Sequence, residues 1–153
     1  MTTDFAEIPV IGLSALQGGS RADIDRTTAE IVAACESAGF FYVTEHGVPA
    51  RLVDDVFNAA RWFFSRPQPE RDALDVALSP NFRGYVPMGI TGPGVPRRML
   101  EAFQMMLELG PGDRDVQAGN IMYGPNCWPA NAPQFRAAME GYFSEISKLA
   151  NRL

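Results

Sequence analysis

Phe135, Met139, Tyr142, Ile146, Leu149 and Leu153 recur four and three residues apart, the clearest period in this 153-residue chain. That spacing puts all of them on one stripe of a helix, and such a helix is stable only when the stripe is covered. The rest of the fold must therefore offer an apolar surface to a helix over about residues 131–153. The stripe runs to the last residue, so the chain is expected to end inside this helix.

Two more helices are legible upstream. Ser20 followed by Asp23 resembles a capping box with Asp in the Glu/Gln place, and Ile24, Thr27, Ile31, Ala34, Cys35 and Ala38 keep helical spacing up to Gly39. Cys35 is expected to be buried there as a small hydrophobe. Pro49 suits a first helical position, and Leu52, Val53, Val56, Phe57, Ala60, Phe63 and Phe64 form a wide stripe ending before Pro67. Pro69 opens a short charged helix to about Ala73. Strands are expected over residues 8–13, 40–44 and 82–86. Residues 40–44 are apolar in succession, as in a strand covered on both faces. Residues 79–96 hold four prolines and four glycines and read mostly as loop. Residues 101–109 are good helix formers, and propensity alone would make them a helix. The fold class is thus mixed α/β (α+β), without repeats or a linker between domains.

Thirteen basic residues against eighteen acidic, with no basic cluster beyond Arg97-Arg98, give no footprint for nucleic acid. Asp4 and Glu7 stand where a secretory leader needs a basic start. No unbroken apolar run approaches the ~18 residues of a membrane span. No membrane association and a cytoplasmic location are the simplest expectations. Cys35 and Cys127 lack CxxC spacing, so neither zinc nor a disulfide framework is signalled. Asp54-Asp55 and Glu70-Asp72 read as solvated carboxylates on helix faces.

Five segments carry a resemblance: Ile8-Pro9-Val10-Ile11-Gly12-Leu13, residues 39–49 (Gly-Phe-Phe-Tyr-Val-Thr-Glu-His-Gly-Val-Pro), Arg83-Gly84-Tyr85-Val86-Pro87, Glu101-Ala102-Phe103 and Gly124-Pro125-Asn126-Cys127-Trp128-Pro129. In this order they resemble the N-terminal region of the isopenicillin N synthase-like, iron(II)- and 2-oxoglutarate-dependent oxygenases. The resemblance implies a non-haem dioxygenase N-terminal domain over residues 1–153, cut within its last helix, with the jelly-roll (double-stranded β-helix) core largely missing. It also implies that residues 101–109 are a strand. Three positions depart from the family pattern: Gly12 where Asp is common, Glu45 where Asn is frequent, and Leu100 where Lys often precedes Glu-Ala-Phe.

The family binds iron(II) with a His-x-Asp pair and a distant His, and 2-oxoglutarate with Arg-x-Ser. Two imidazoles and a carboxylate leave open positions on the metal for cosubstrate and O₂. This sequence has one histidine, His46, followed two residues later by Val48, and no Arg-x-Ser. No catalytic and no metal-binding residue is therefore assigned. The chain alone is expected to be inactive and to bind neither iron(II) nor 2-oxoglutarate, and its expected partner is a missing C-terminal catalytic half, in cis or as a separate chain. His46 reads as a structural hydrogen-bonding residue.

Arg83 and Tyr85 are the candidate substrate-binding residues, by resemblance to the segment that leans over the active-site mouth of the family; the substrate implied is a small organic molecule. A planar guanidinium suits a carboxylate, and a phenol supplies an oriented hydroxyl. Packing and loop capping are their alternative roles. Phe103 and Gln104 could face the same pocket, and the turn at residues 126–129 more simply fixes the entry to the last helix. A second reading of the whole chain is a stand-alone binding or assembly module that pairs with a separate catalytic chain. A site shared between two copies, one His46 each, has no supporting motif.

Overall fold

The computed structural model describes residues 7–89 and 100–153. The acidic start before residue 7, residues 90–96 of the expected loop and the Arg97-Arg98 pair lie outside the described residues. The chain divides into two units, Met1–Asp54 with Glu140–Leu153, and Asp55–Met139.

In the first unit, strand β1 (Val10–Gly12) leads through a 3₁₀ turn (Ser14–Gln17) to helix α1 (Arg21–Ser37) and strand β2 (Tyr42–Thr44). The unit also holds the start of helix α2 (Ala50–Phe64). β1 and β2 pair in parallel, Val10 opposite Tyr42, Ile11 opposite Val43 and Gly12 opposite Thr44. The long connection that parallel pairing demands is α1. Its start is fixed as the sequence suggests: the Asp23 N–H donates to the Ser20 hydroxyl at 3.2 Å. Asp23 in turn accepts from that hydroxyl and from Arg26, which together hold its carboxyl below the usual range. Ile11, Leu13, Ala34, Val48 and Leu149 are buried together, with Ile31, Phe41, Val43, Tyr142 and Ile146 packed against them.

Two expectations fail here. Residues 40–44 are covered on one face only: Phe41 and Val43 turn to the core, while Phe40 and Tyr42 are exposed. Successive strand residues point to opposite faces, so an apolar run needs a second layer that these residues do not have. Cys35 is exposed, because the face α1 buries is set by Thr27, Ile31 and Ala34 and the next residue lies about 100° around the helix.

In the second unit, the remainder of α2 is followed by helix α3 (Gln68–Asp72), a 3₁₀ turn (Val76–Leu78), strands β3 (Gly84–Val86) and β4 (Ala102–Gln104), and helix α4 (Arg114–Gln117). Helix α5 (Pro133–Ala150) begins in this unit and ends in the first. β3 and β4 are antiparallel, with Tyr85 opposite Phe103. Residues 102–104 are therefore strand and not helix, since pairing with β3 and burial of Phe103 outweigh a propensity worth only tenths of a kcal/mol per residue. Phe63, Tyr85 and Phe135 are buried with Ala59 and Ala132, and Phe64, Leu74, Phe103, Trp128 and Met139 pack on them. Rings of Phe63, Phe103 and Phe135 meet pairwise with centroids 4.9, 5.1 and 5.4 Å apart.

The stripe of α5 outlasts the helix. Phe135 and Leu149 are buried, but the helix stops at Ala150 and Leu153 is exposed. The described strands, two pairs of three residues each, form no jelly roll. No described helix is long and apolar enough to cross a membrane.

Candidate functional site

The segment from Ser79 into β3 is built by short-range polar contacts. The Ser79 hydroxyl donates to Asn81 Oδ1 at 2.8 Å and accepts from the Arg83 N–H at 3.0 Å. Asn81 Nδ2 donates to the Pro125 carbonyl at 3.1 Å. Between these anchors Phe82 takes a φ of 58°, which bulky residues rarely adopt, and Gly84 a φ of 116°. This arrangement sends Arg83 and Tyr85 inward and Phe82 outward.

Arg83 is 1% exposed. Its Nη1 donates to Asn126 Oδ1 at 3.1 Å and its Nη2 to the Met122 carbonyl at 2.6 Å, while Nε has no partner among the described residues. Burial draws its pKa below the ordinary guanidinium value, and the Glu108 carboxylate opposes that. Asn126 extends the network. Its side-chain amide accepts from the Met106 N–H at 3.0 Å and donates to the Met106 carbonyl at 2.9 Å, as a neighbouring strand would. Glu108 Oε2 gathers Asn126 N, Asn126 Nδ2 and Trp128 Nε1 at 3.1, 2.8 and 3.3 Å. Residues 106–108 are thus held to the turn at 126–128, which leads to α5.

Tyr85, also 1% exposed, donates its hydroxyl to Glu101 Oε2 at 2.6 Å and receives Gln68 Nε2 and Arg71 Nη1, each at 3.3 Å. Arg71 forms an ion pair with Glu101 and lies over the Tyr85 ring, 5.3 Å from its centroid. Burial, then the bond to Glu101, pushes the Tyr85 pKa up. The structure therefore places the two candidates side by side in sequence but in separate polar clusters. Both clusters tie distant segments together. Sequence reading missed Arg71, Glu101, Asn126 and Glu108 as members. Glu101 and Asn126 stood within the segments that carried the resemblance, which was the available signal; Arg71, in the short charged helix, carried no such signal. Phe103 packs in the aromatic core, opposite Tyr85.

His46 sits after β2 in a turn where Glu45 has φ 51° and Gly47 φ 77°. Its Nδ1 accepts from the Val48 N–H at 3.0 Å, and its carbonyl accepts from Arg152 Nη2 at 3.2 Å. Gln17 Nε2 closes the turn on the Glu45 carbonyl at 2.6 Å. The Glu45 carboxylate lies against Gly12. A Cβ added at Gly12 would meet Glu45 Oε2 at 2.8 Å, and Ser14 donates to that oxygen at 3.1 Å. A carboxylate thus occupies the space beside position 12, but it comes from the turn that follows β2. Gly12→Asp is expected to cost about 0.5–1 kcal/mol, because its carboxylate repels that of Glu45, which is exposed and can swing aside. In a Glu45→Asn background the cost should fall by about 0.5 kcal/mol or more, and Asn also tolerates the left-handed φ better. Urea unfolding of the four variants checks this, and additive effects would refute the coupling.

Iron(II), one of the groups the resemblance implies, finds no set of ligands gathered among the described residues. His46 Nδ1 is occupied by a backbone donor. Among the described residues no three His, Cys, Asp or Glu side chains are placed to hold a metal ion.

The family model described as "non-haem dioxygenase in morphine synthesis N-terminal" matches residues 8–131. Homoarginine-6-hydroxylase 2-ODD-C23 of Glycine max is 37% identical over 164 residues, covering 100% of this chain and 48% of its own length. Isopenicillin N synthase of Streptomyces clavuligerus is 31% identical over 97% of this chain and 45% of the synthase. The chain spans about half the length of these relatives. The crystal structure of a 2OG-Fe(II) oxygenase family protein from Caulobacter crescentus shares the fold, with a TM-score of 0.77 at 22% identity over 97% of this chain and 46% of that protein.

Proposed function

Because the chain belongs to the N-terminal family of the non-haem dioxygenases, we propose that it is the N-terminal half of an iron(II)- and 2-oxoglutarate-dependent oxygenase acting on a small organic molecule, and that it is inactive alone. The observation that carries this reading is the pairing of a full-length match to about half of a hydroxylase with a single histidine. Two imidazoles are needed for the family's iron site, so a second chain segment must supply the metal and cosubstrate ligands.

In this reading the present residues shape the mouth over the site. The segment carrying Arg83 and Tyr85 forms part of that mouth, and Arg83 Nε is the polar atom of the pair that lacks a partner among the described residues. A substrate-bound structure of the assembled oxygenase with neither residue against the substrate would remove them from this role. For the chain alone, iron-dependent decarboxylation of 2-oxoglutarate is expected to match a metal-free control. Turnover clearly above that control would overturn the assignment of the chemistry to another segment.

A further inference from the structure

We propose that Cys127 is a peroxide-sensitive modification site, where the buried guanidinium of Arg83 promotes oxidation of the thiol to a sulfenic acid. This inference goes beyond the functional reading above and does not rest on it. Two contacts bring the thiol and the guanidinium together. Arg83 Nη1 donates to Asn126 Oδ1 at 3.1 Å, and Asn126 directly precedes Cys127. A Cβ built on Gly84, the residue after Arg83, would lie 3.6 Å from Cys127 Cβ. Cys127 is only half-buried, which leaves it open to an oxidant little larger than water.

The surroundings of Arg83 give this thiol its chemistry. Arg83 is 1% exposed, its bonded partners are a neutral amide and a backbone carbonyl, and its Nε has no partner among the described residues. A cation buried on such terms needs negative charge near it. Burial draws its pKa down, and the charges of Glu108 and then Cys127 oppose that. Glu108 Oε2 is already engaged, since it accepts from Asn126 and Trp128. Cys127 is the other place beside the guanidinium where negative charge can form. Reactive thiols occupy such electropositive, partly exposed places. Cys35 is the contrast, exposed but in the last turn of α1, at the negative end of the helix dipole. In the reaction with hydrogen peroxide the sulfur attacks one peroxide oxygen, and the O–O bond breaks as the S–O bond forms. The departing hydroxide takes the thiol proton and leaves as water, so sulfur loses two electrons and peroxide gains them. Arg83 stabilises the negative charge that builds on the oxygens, and its unpartnered Nε is the donor the site offers to the new sulfenic oxygen.

The test treats the purified chain with hydrogen peroxide in the presence of dimedone, which traps sulfenic acids, and peptide mass spectrometry reads the labelling rate at each cysteine. Cys127 is expected to label about tenfold faster than the more exposed Cys35, and the difference should vanish in denaturing urea. Iodoacetate, an anion, should gain on neutral iodoacetamide at Cys127 relative to Cys35 by about threefold or more, a readout that needs no variant. Arg83→Gln, checked for folding by tryptophan fluorescence, should bring the Cys127 rate down to that of Cys35. Equal rates in the folded chain, faster labelling of Cys35, or a difference that persists in urea would overturn the proposal. Fast labelling of Cys127 with no preference for iodoacetate, or undiminished in folded Arg83→Gln, would overturn it as well, because the guanidinium would not be its cause.

Discussion

Alanine at position 84 is expected to destabilise the chain by roughly 2–6 kcal/mol, as backbone strain and overpacking add. Gly84 has φ 116°, where a side chain is strained whatever space surrounds it. Here the space is also taken. A Cβ built on Gly84 falls inside contact distance of the Leu74 carbonyl oxygen. That oxygen cannot swing away, because it accepts the Tyr85 N–H at 2.7 Å. Relief would require moving β3, and with it the Tyr85 ring and the register against β4. Typical domains are stable by only about 5–15 kcal/mol, so the loss is a large share of the total. Urea unfolding followed by tryptophan fluorescence measures it. Gly112→Ala is the control, since an added Cβ there meets nothing within 4 Å. A Gly84→Ala midpoint as close to wild type as the control's would refute the argument.

The signals that proved legible are local ones. The Ser20 cap and the spacing of Thr27, Ile31 and Ala34 fix α1, because capping and helical period are set within one or two turns. Phe135 and Leu149 mark the buried stripe of α5 for the same reason. Where burial depends on what lies across the sheet, sequence pattern misleads. Phe40 and Phe41 look alike as letters, yet one is exposed and the other faces the core. Residues 102–104 favour a helix by propensity and become strand because β3 pairs with them. The polar clusters are the least legible part. Arg83 meets Met122 and Asn126, 39 and 43 residues away, and Tyr85 meets Glu101, 16 residues away. The motif around Arg83-Gly84-Tyr85 singled out this segment, but chemical type alone could not tell an inward guanidinium from one that greets a ligand. Only Gly84 carried a conformational clue, since its positive φ helps to turn its two neighbours inward.

Phe63→Ala is expected to cost about 3–5 kcal/mol, the range for deleting a buried ring whose surroundings relax only in part. Phe63 is 1% exposed, and its ring lies 5.2, 6.0, 4.9 and 5.4 Å from those of Phe64, Tyr85, Phe103 and Phe135. It therefore joins α2, β3, β4 and α5 at one point. Few small movements could refill the space, because the contacting rings belong to different elements and two of them are edge-on within paired strands. Both tryptophans, Trp62 and Trp128, lie in the same unit, so their fluorescence reports unfolding of this core specifically. Phe57→Ala, on an exposed face of the same helix, separates the loss of packing from any change in helix propensity and should stay within about 0.5 kcal/mol. If Phe63→Ala cost no more than Phe57→Ala, the aromatic cluster would not be the structure that holds β3 and β4 in register. The inward placement of Tyr85 would then depend on its bonds to Glu101, Gln68 and Arg71 instead.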